Sequence, residues 1–309
     1  MGEVAVPLDA LYGAQTQRAI NNFGLKDRAM PLEFIHSLAM IKSAAARASG
    51  DCGVLDQERV AALVAAAGEV IAGRHDGQFP VSVFQTGSGT STNMNMNEVL
   101  ARLATGAGAK TVHPNDHVNC SQSSNDVIPT CILVTAMRAL NDQLLPALGK
   151  LVGVVGERSL ELSQLTKTGR THLMDAMPLT FGQELSAWQV QLQECEQRFS
   201  DLQPRLRKLP IGGSAVGTGI NVPANFAGQL VQHLQVLCGL EFEVAANPFS
   251  RIAAQDTALE CSACLRALAV TLSKICNDLR WMASGPLSGL AEIELAALQP
   301  GSSIMPGKV

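Results

Sequence analysis

Four stretches of this 309-residue chain concentrate small hydroxyl and amide side chains: QTGSGTSTNMNMNE at 85–98, HPNDHVNCSQSSND at 113–126, GRTHLMDAMP at 169–178 and GSSIMPGK at 301–308. Neutral donors of this kind, added to the exposed N–H groups at the start of a helix, make a site for carboxylate or phosphate oxygens. Gly87 and Gly89 let backbone approach a ligand closely. His172 supplies a group that titrates near neutral pH and Lys308 a cation. Together the set suits binding a small polyanion and moving protons. The same residue types also cap helices and form turns at any boundary, and His172 alone reads equally well as a structural hydrogen-bonding residue. Four such stretches in one chain, one with His172 and one with Lys308, shift the balance toward a site.

Other chemistries lack their residues. H-E-x-x-H, G-x-S-x-G and G-x-x-x-x-G-K-[ST] are all missing, so zinc hydrolysis, α/β-hydrolase chemistry and P-loop phosphate binding have no support. GGSAVGTG at 212–219 superficially resembles a nucleotide loop, but no strand signal precedes it. Cys261 and Cys264 form a C-x-x-C without a second pair or a nearby His, in a segment of helical pattern, which favours helix packing over a metal or redox role. The other six cysteines are scattered mostly in apolar segments, as expected of reduced, buried thiols rather than a disulfide scaffold.

Lys plus Arg total 23 against 27 Asp plus Glu, with no basic cluster long enough to track phosphates, so nucleic acid is not an expected partner. No apolar run approaches about 18 residues and the N-terminus lacks a signal-peptide pattern, so a protein without a membrane association, in the cytoplasm, is expected.

Helices must position these stretches. Aromatics are 4% of the chain and β-branched alternation is rare, so the fold class expected is all-α (mainly). The pattern predicts helices over 31–49, 57–73, 93–105, 126–165, 182–206, 224–238 and 252–284, several long enough for an antiparallel bundle. Pro129 lies early in its helix, where it is tolerated, and Pro146 predicts a kink. Residues 106–123, rich in Gly, Asn, Ser and His, are the best boundary. A small N-terminal helical domain (1–120) followed by a long-helix bundle domain (121–309) is expected.

On these residues the chain resembles the fumarase/aspartase superfamily. GSSIMPGKV resembles that group's signature loop, the other three stretches match its remaining conserved regions in order, and the similarity begins at VPLDALYGAQTQRA and covers essentially the whole chain. Within it the class II fumarase family is most similar: GRTHLMDA carries His172 where aspartases usually have Gln, MPGK carries Gly307 where they usually have Ala, and YGAQTQR is fumarase-like. Argininosuccinate and adenylosuccinate lyases are more distant.

The resemblance implies reversible hydration of fumarate to L-malate through an aci-carboxylate, with no metal and no cofactor. It implies Ser302 as catalytic base, beside Ser303 as a substrate contact, and Lys308 as the holder of a substrate carboxylate. It likewise gives Ser88, Gly89, Thr90, Ser123, Ser124, Asn125 and Thr171 as substrate contacts, and His172 as the catalytic partner of the water or hydroxide. His113, Pro114, Asn115 and Asp116 match a secondary dicarboxylate site. A homotetramer is implied. Aspartate ammonia-lyase is the alternative reaction, and a helical fragment that at most binds dicarboxylates the alternative class. Departures are Met174 for a common Gln, Cys120 for Lys and Ser214 for Thr. The family loop continues to an asparagine, further bundle helices and a C-terminal domain, so the chain is expected to be a C-terminally truncated piece of limited activity.

Overall fold

A computed structural model describes residues 2–25, 28–106, 110–301, 303 and 304. In chain order its helices are α1 (Ala14–Phe23), α2 (Leu32–Asp51), α3 (Gln57–Ile71), α4 (Thr90–Gly106), α5 (Ser124–Ala139), α6 (Leu145–Glu161), α7 (Phe181–Leu206), α8 (Phe226–Cys238), α9 (Pro248–Ala253) and α10 (Asp256–Met282). Among the described residues four short strands accompany them: β1 (Thr166–Thr171) and β2 (Met174–Thr180) form an antiparallel hairpin, while β3 (Lys208–Leu209) and β4 (Glu243–Val244) pair in parallel. The architecture is mainly helical, as the composition predicts. Among the described residues no helix is long and apolar enough to cross a membrane.

The helix expected over 126–165 forms as α5 and α6 joined by a π-helical turn, Leu140–Leu144. Pro146 has no N–H and its ring crowds the carbonyl of Asp142, and the widened turn directly before it accommodates both. The helix expected over 252–284 forms as α10, Asp256–Met282, with the short α9 ending at Ala253 just before it.

By contact the chain divides into two units. The first comprises Met1–Pro146 with Ser200–Cys261. Its centre is α2, buried over most of its circumference and packed on α3, α8 and α5. Ala44, Ala45 and Ala48 of α2 and Ala66 and Ala67 of α3 are buried, and such small side chains allow close helix approach. Ile35, Leu38 and Ile41 of α2, Met96 and Leu100 of α4, Met137 of α5 and Phe226 of α8 are among the unit's large, fully buried core side chains. The N-terminus of α1 is capped from afar: Glu98 of α4 accepts from the N–H groups of Gly13, Gln15 and Thr16 and from Thr16 Oγ1. A Cβ at Gly13 would lie 2.8 Å from Glu98 Oε1, so a larger residue there in the YGAQTQR segment would displace the capping carboxylate.

The second unit comprises Ala147–Phe199 with Ser262–Val309. Trp188, Leu192, Cys195 and Phe199 of α7 and Leu268, Ile275 and Met282 of α10 are buried. Ser159 Oγ of α6 donates to the Gly182 carbonyl at 2.7 Å, and a Cβ at Gly182 would come within 2.5 Å of the Ser159 carbonyl oxygen. This close approach ties the end of α6 to the start of α7 and leaves the β1–β2 hairpin as the excursion between them.

Candidate functional site

In the first unit two polar stretches meet at helix N-termini. Ser88, Gly89 and Thr90 lead into α4, and Ser123 and Ser124 into α5. Gly89 adopts φ +65°, and a Cβ there would meet the Ile128 side chain of α5 at 3.0–3.2 Å, so only glycine lets the two helix starts come this close. Ser88 Oγ and Thr90 Oγ1 share a 2.9 Å hydrogen bond on the exposed side. Ser123 caps α5, accepting from Asn125 N at 3.2 Å, while Asp126 Oδ1 accepts from Ser123 N at 2.9 Å, a capping box. Asn93 Nδ2 of α4 donates to Ser124 Oγ at 3.0 Å. Two positive helix ends and their hydroxyls thus converge, an arrangement that favours a carboxylate.

Beneath this junction lies a buried polar group that sequence reasoning did not assign. Asp126 Oδ2 accepts from the backbone N–H groups of Gly212 and Ser214 at 3.0 and 2.9 Å, and Asn125 Nδ2 donates to the Ala215 carbonyl at 2.8 Å. The glycine-rich stretch set aside as a nucleotide loop is therefore a brace for the start of α5. Lys42 of α2 donates to Asn119 Oδ1 and Gln122 Oε1, both at 3.0 Å, and Asn93 Nδ2 also reaches Asn119 Oδ1 at 3.2 Å. Burial pushes the Asp126 carboxyl up to about 6, against the hydrogen bonds from Ser123, Ser214 and Gly212 and the charge of Lys42. Burial pulls the Lys42 ammonium down to about 7, against attraction by Asp126. The readable signal was Lys42 itself, a lone cation in the otherwise small and apolar stretch 37–46.

Pro114, Asn115 and Asp116 lie on the π-helical turn Pro114–Val118 between α4 and α5, and His113 caps it. His113 Nδ1 accepts from Asp116 N at 3.2 Å and His117 Nδ1 accepts from His113 N at 2.8 Å, so the exposed turn is held by its own imidazoles. Burial, then repulsion from Arg59, lowers the His117 pKa.

The third stretch is not a loop beside a helix but the β1–β2 hairpin of the second unit. Thr171 pairs with Met174, and His172 and Leu173 form the turn with φ of +54° and +62°. His172 is exposed and opens on a cleft of about 540 Å³ lined also by Lys167, Arg170, Trp188 and Trp281. Glu292 pairs with Arg170 at 2.8 Å and Lys167 at 3.1 Å; burial opposes its charge, but these hydrogen bonds hold its carboxyl below the usual value. Ser303 is exposed. Ser302 and Lys308, the expected base and carboxylate holder, lie outside the described residues. Among the described residues no cluster of His, Cys, Asp and Glu could hold a metal ion.

The sequence profile of the family described as Lyase matches residues 2–309. The chain is 55% identical over 309 residues to the class II fumarate hydratase of Xylella fastidiosa (strain 9a5c), with all of this chain and 65% of that protein aligned. It is 50% identical over 315 residues to fumarate hydratase class II 1 of Pseudomonas aeruginosa, covering all of this chain and 68% of that one. The crystal structure of class II fumarase from Schistosoma mansoni superposes with a TM-score of 0.96 at 40% identity, across all of this chain and 69% of the other. The chain thus spans about 65% of the length of the first of these relatives. The chain belongs to the lyase family and, within it, to the class II fumarases.

Proposed function

We propose that the protein catalyses the reversible hydration of fumarate to L-malate, by anti addition of water through an aci-carboxylate intermediate. The observation that carries this reading is the junction of the α4 and α5 N-termini, where Ser88, Thr90, Ser123, Ser124 and Asn125 crowd donors into one place. In this reading Ser88, Gly89, Thr90, Ser123, Ser124, Asn125 and Thr171 hold the dicarboxylate. Ser302 removes the proton from the carbon beside a carboxylate. A serine hydroxyl is a weak base at neutral pH, so it needs the N–H groups of its Gly-Ser loop and the cation Lys308 to favour the alkoxide. Ser303 and Lys308 contact the carboxylate on which negative charge builds up, where fixed donors contribute most. His172 protonates the departing hydroxide through a bound water, and activates water in the reverse direction. His113, Pro114, Asn115 and Asp116 form a secondary dicarboxylate site.

The working form in this reading is a homotetramer. Val154 of α6, Val190 of α7 and Val270 of α10 are 47%, 52% and 65% exposed, which supports association through the long helices. A cytoplasmic location is supported by the unpaired thiols of Cys52, Cys120, Cys131, Cys195, Cys238 and Cys276. The test follows fumarate absorbance with malate or aspartate as substrate. Malate turnover, lost by roughly 10²–10⁴-fold in Ser302→Ala while fumarate binding persists, is the expected result. Turnover of aspartate alone would replace this reading with ammonia elimination.

A further inference from the structure

The Ser124 hydroxyl stands at the end of a chain of hydrogen bonds whose direction is fixed at the other end. Lys42 is buried and donates at 3.0 Å to the amide oxygens of Asn119 and Gln122, because the backbone carbonyls that face the other atom of each amide can only accept. That orientation leaves Gln122 Nε2 to donate to the carbonyls of Val118 and Cys120, and Asn119 Nδ2 to donate to the carbonyl of Gln122. Both amides are satisfied only this way round. Asn119 Oδ1 then also receives Asn93 Nδ2, which forces the amine of Asn93 toward α5, where it donates to Ser124 Oγ. Ser124 is an acceptor on its inner side, which leaves its one proton free for a partner elsewhere.

We propose that Lys42 and Asn93 are positioning residues that set the Ser124 hydroxyl as a hydrogen-bond donor to a carboxylate oxygen of the substrate. The inference rests on Ser124 being a substrate contact in the reading above. It accounts for a cation buried among alanines that meets amide oxygens rather than a carboxylate: a buried, unpaired charge is costly, and a core built for stability alone would carry an apolar side chain there. It also accounts for Asn93, 1% exposed, whose amide spans from one polar stretch to the other. With the proton of Ser124 turned inward, the site would offer an anion a lone pair instead of a hydrogen.

The test is a double-mutant cycle on Asn93→Ala and Ser124→Ala, read by calorimetric titration with fumarate and by steady-state turnover of malate. Each single variant is expected to raise Kd and KM about tenfold with kcat within about threefold, the pattern of lost uniform binding. The double variant is expected to bind no more weakly than Ser124→Ala alone. Lys42→Met is expected to follow Asn93→Ala; since removing a buried cation risks unfolding, the Asn93–Ser124 cycle decides by itself. Effects that multiply in the double variant, or a fall in kcat at constant KM, overturn the inference while fumarate binding by the wild type stands. A wild-type protein that binds no fumarate overturns it together with the reading on which it rests.

Discussion

The backbone N–H of Ser214 donates to Asp126 Oδ2 at 2.9 Å across 88 positions of sequence. Gly212 donates to the same oxygen and Ser123 to the other, so one fully buried carboxylate ties the start of α5 to the 212–215 loop. The side chain next to it in sequence, Asn125, returns the contact through the Ala215 carbonyl. The hydroxyls offered at the surface of this junction owe their positions to a polar group below them.

Removing that carboxylate orphans three N–H groups, that of Ser214 buried and those of Ser123 and Gly212 part-buried. Asp126→Ala is expected to destabilise the protein by about 3–5 kcal/mol, since each unsatisfied donor costs about 1–3 kcal/mol. Asp126→Asn keeps one acceptor oxygen and should cost less. Urea midpoints of the two variants check this, and a loss under about 1 kcal/mol for Asp126→Ala would mean that the loop is held elsewhere.

Gly89 is constrained twice, by φ +65° and by the Ile128 side chain 3.0 Å from where a Cβ would sit. Gly89→Ala should therefore cost about 1–3 kcal/mol, and it should weaken fumarate binding by spreading the two helix starts. Gly89→Ala with Ile128→Ala should recover part of the binding loss, because the second change removes the Cγ1, Cγ2 and Cδ1 atoms that a Cβ would meet but not the strain. Equal losses in the single and double variants would assign the whole effect to the backbone.

Most helices were legible because their apolar period is local. The expected 57–73, 182–206 and 224–238 correspond to α3, α7 and α8 to within two residues. The elements missed draw on information that is not local. Helix α1 has no buried apolar stripe and takes its cap from Glu98, more than eighty residues away. The β1–β2 hairpin turns on His-Leu, where a two-residue turn ordinarily announces itself as Asn-Gly. Of the site, the hydroxyl-rich stretches were visible, whereas Lys42 and Asp126 act through residues brought to them only by folding.

Lys42 also predicts a pH dependence. Its pKa falls from 10.5 in the unfolded chain to about 7 in the fold, so between these values the unfolded state binds more protons and stability rises with pH. Lys42→Met has no such proton to lose. The stability of the wild type minus that of Lys42→Met should therefore grow from pH 7 to 10, by on the order of 1 kcal/mol per pH unit at most. Parallel melting curves across that range would contradict the burial of the ammonium.

At the hairpin tip, fold and chemistry ask for different residues. His172 and Leu173 both hold left-handed backbone in a two-residue turn, a conformation that suits Asn at the first position and Gly at the second. A side chain kept in a sparsely populated region costs about 1 kcal/mol or more, and such positions tend to carry function. His172→Asn should thus leave the melting temperature unchanged or slightly raised, while malate turnover falls by about 10²–10⁴-fold through loss of the proton-transfer group. Leu173→Gly should raise stability by about 0.5–1 kcal/mol and, though Leu173 also lines the cleft, spare turnover. The two substitutions act on the same turn, so a shared loss of turnover would trace to hairpin geometry. A loss confined to His172→Asn, with the fold intact, separates the imidazole from the turn that holds it. Full turnover in His172→Asn would reduce His172 to a turn residue and remove it from the mechanism.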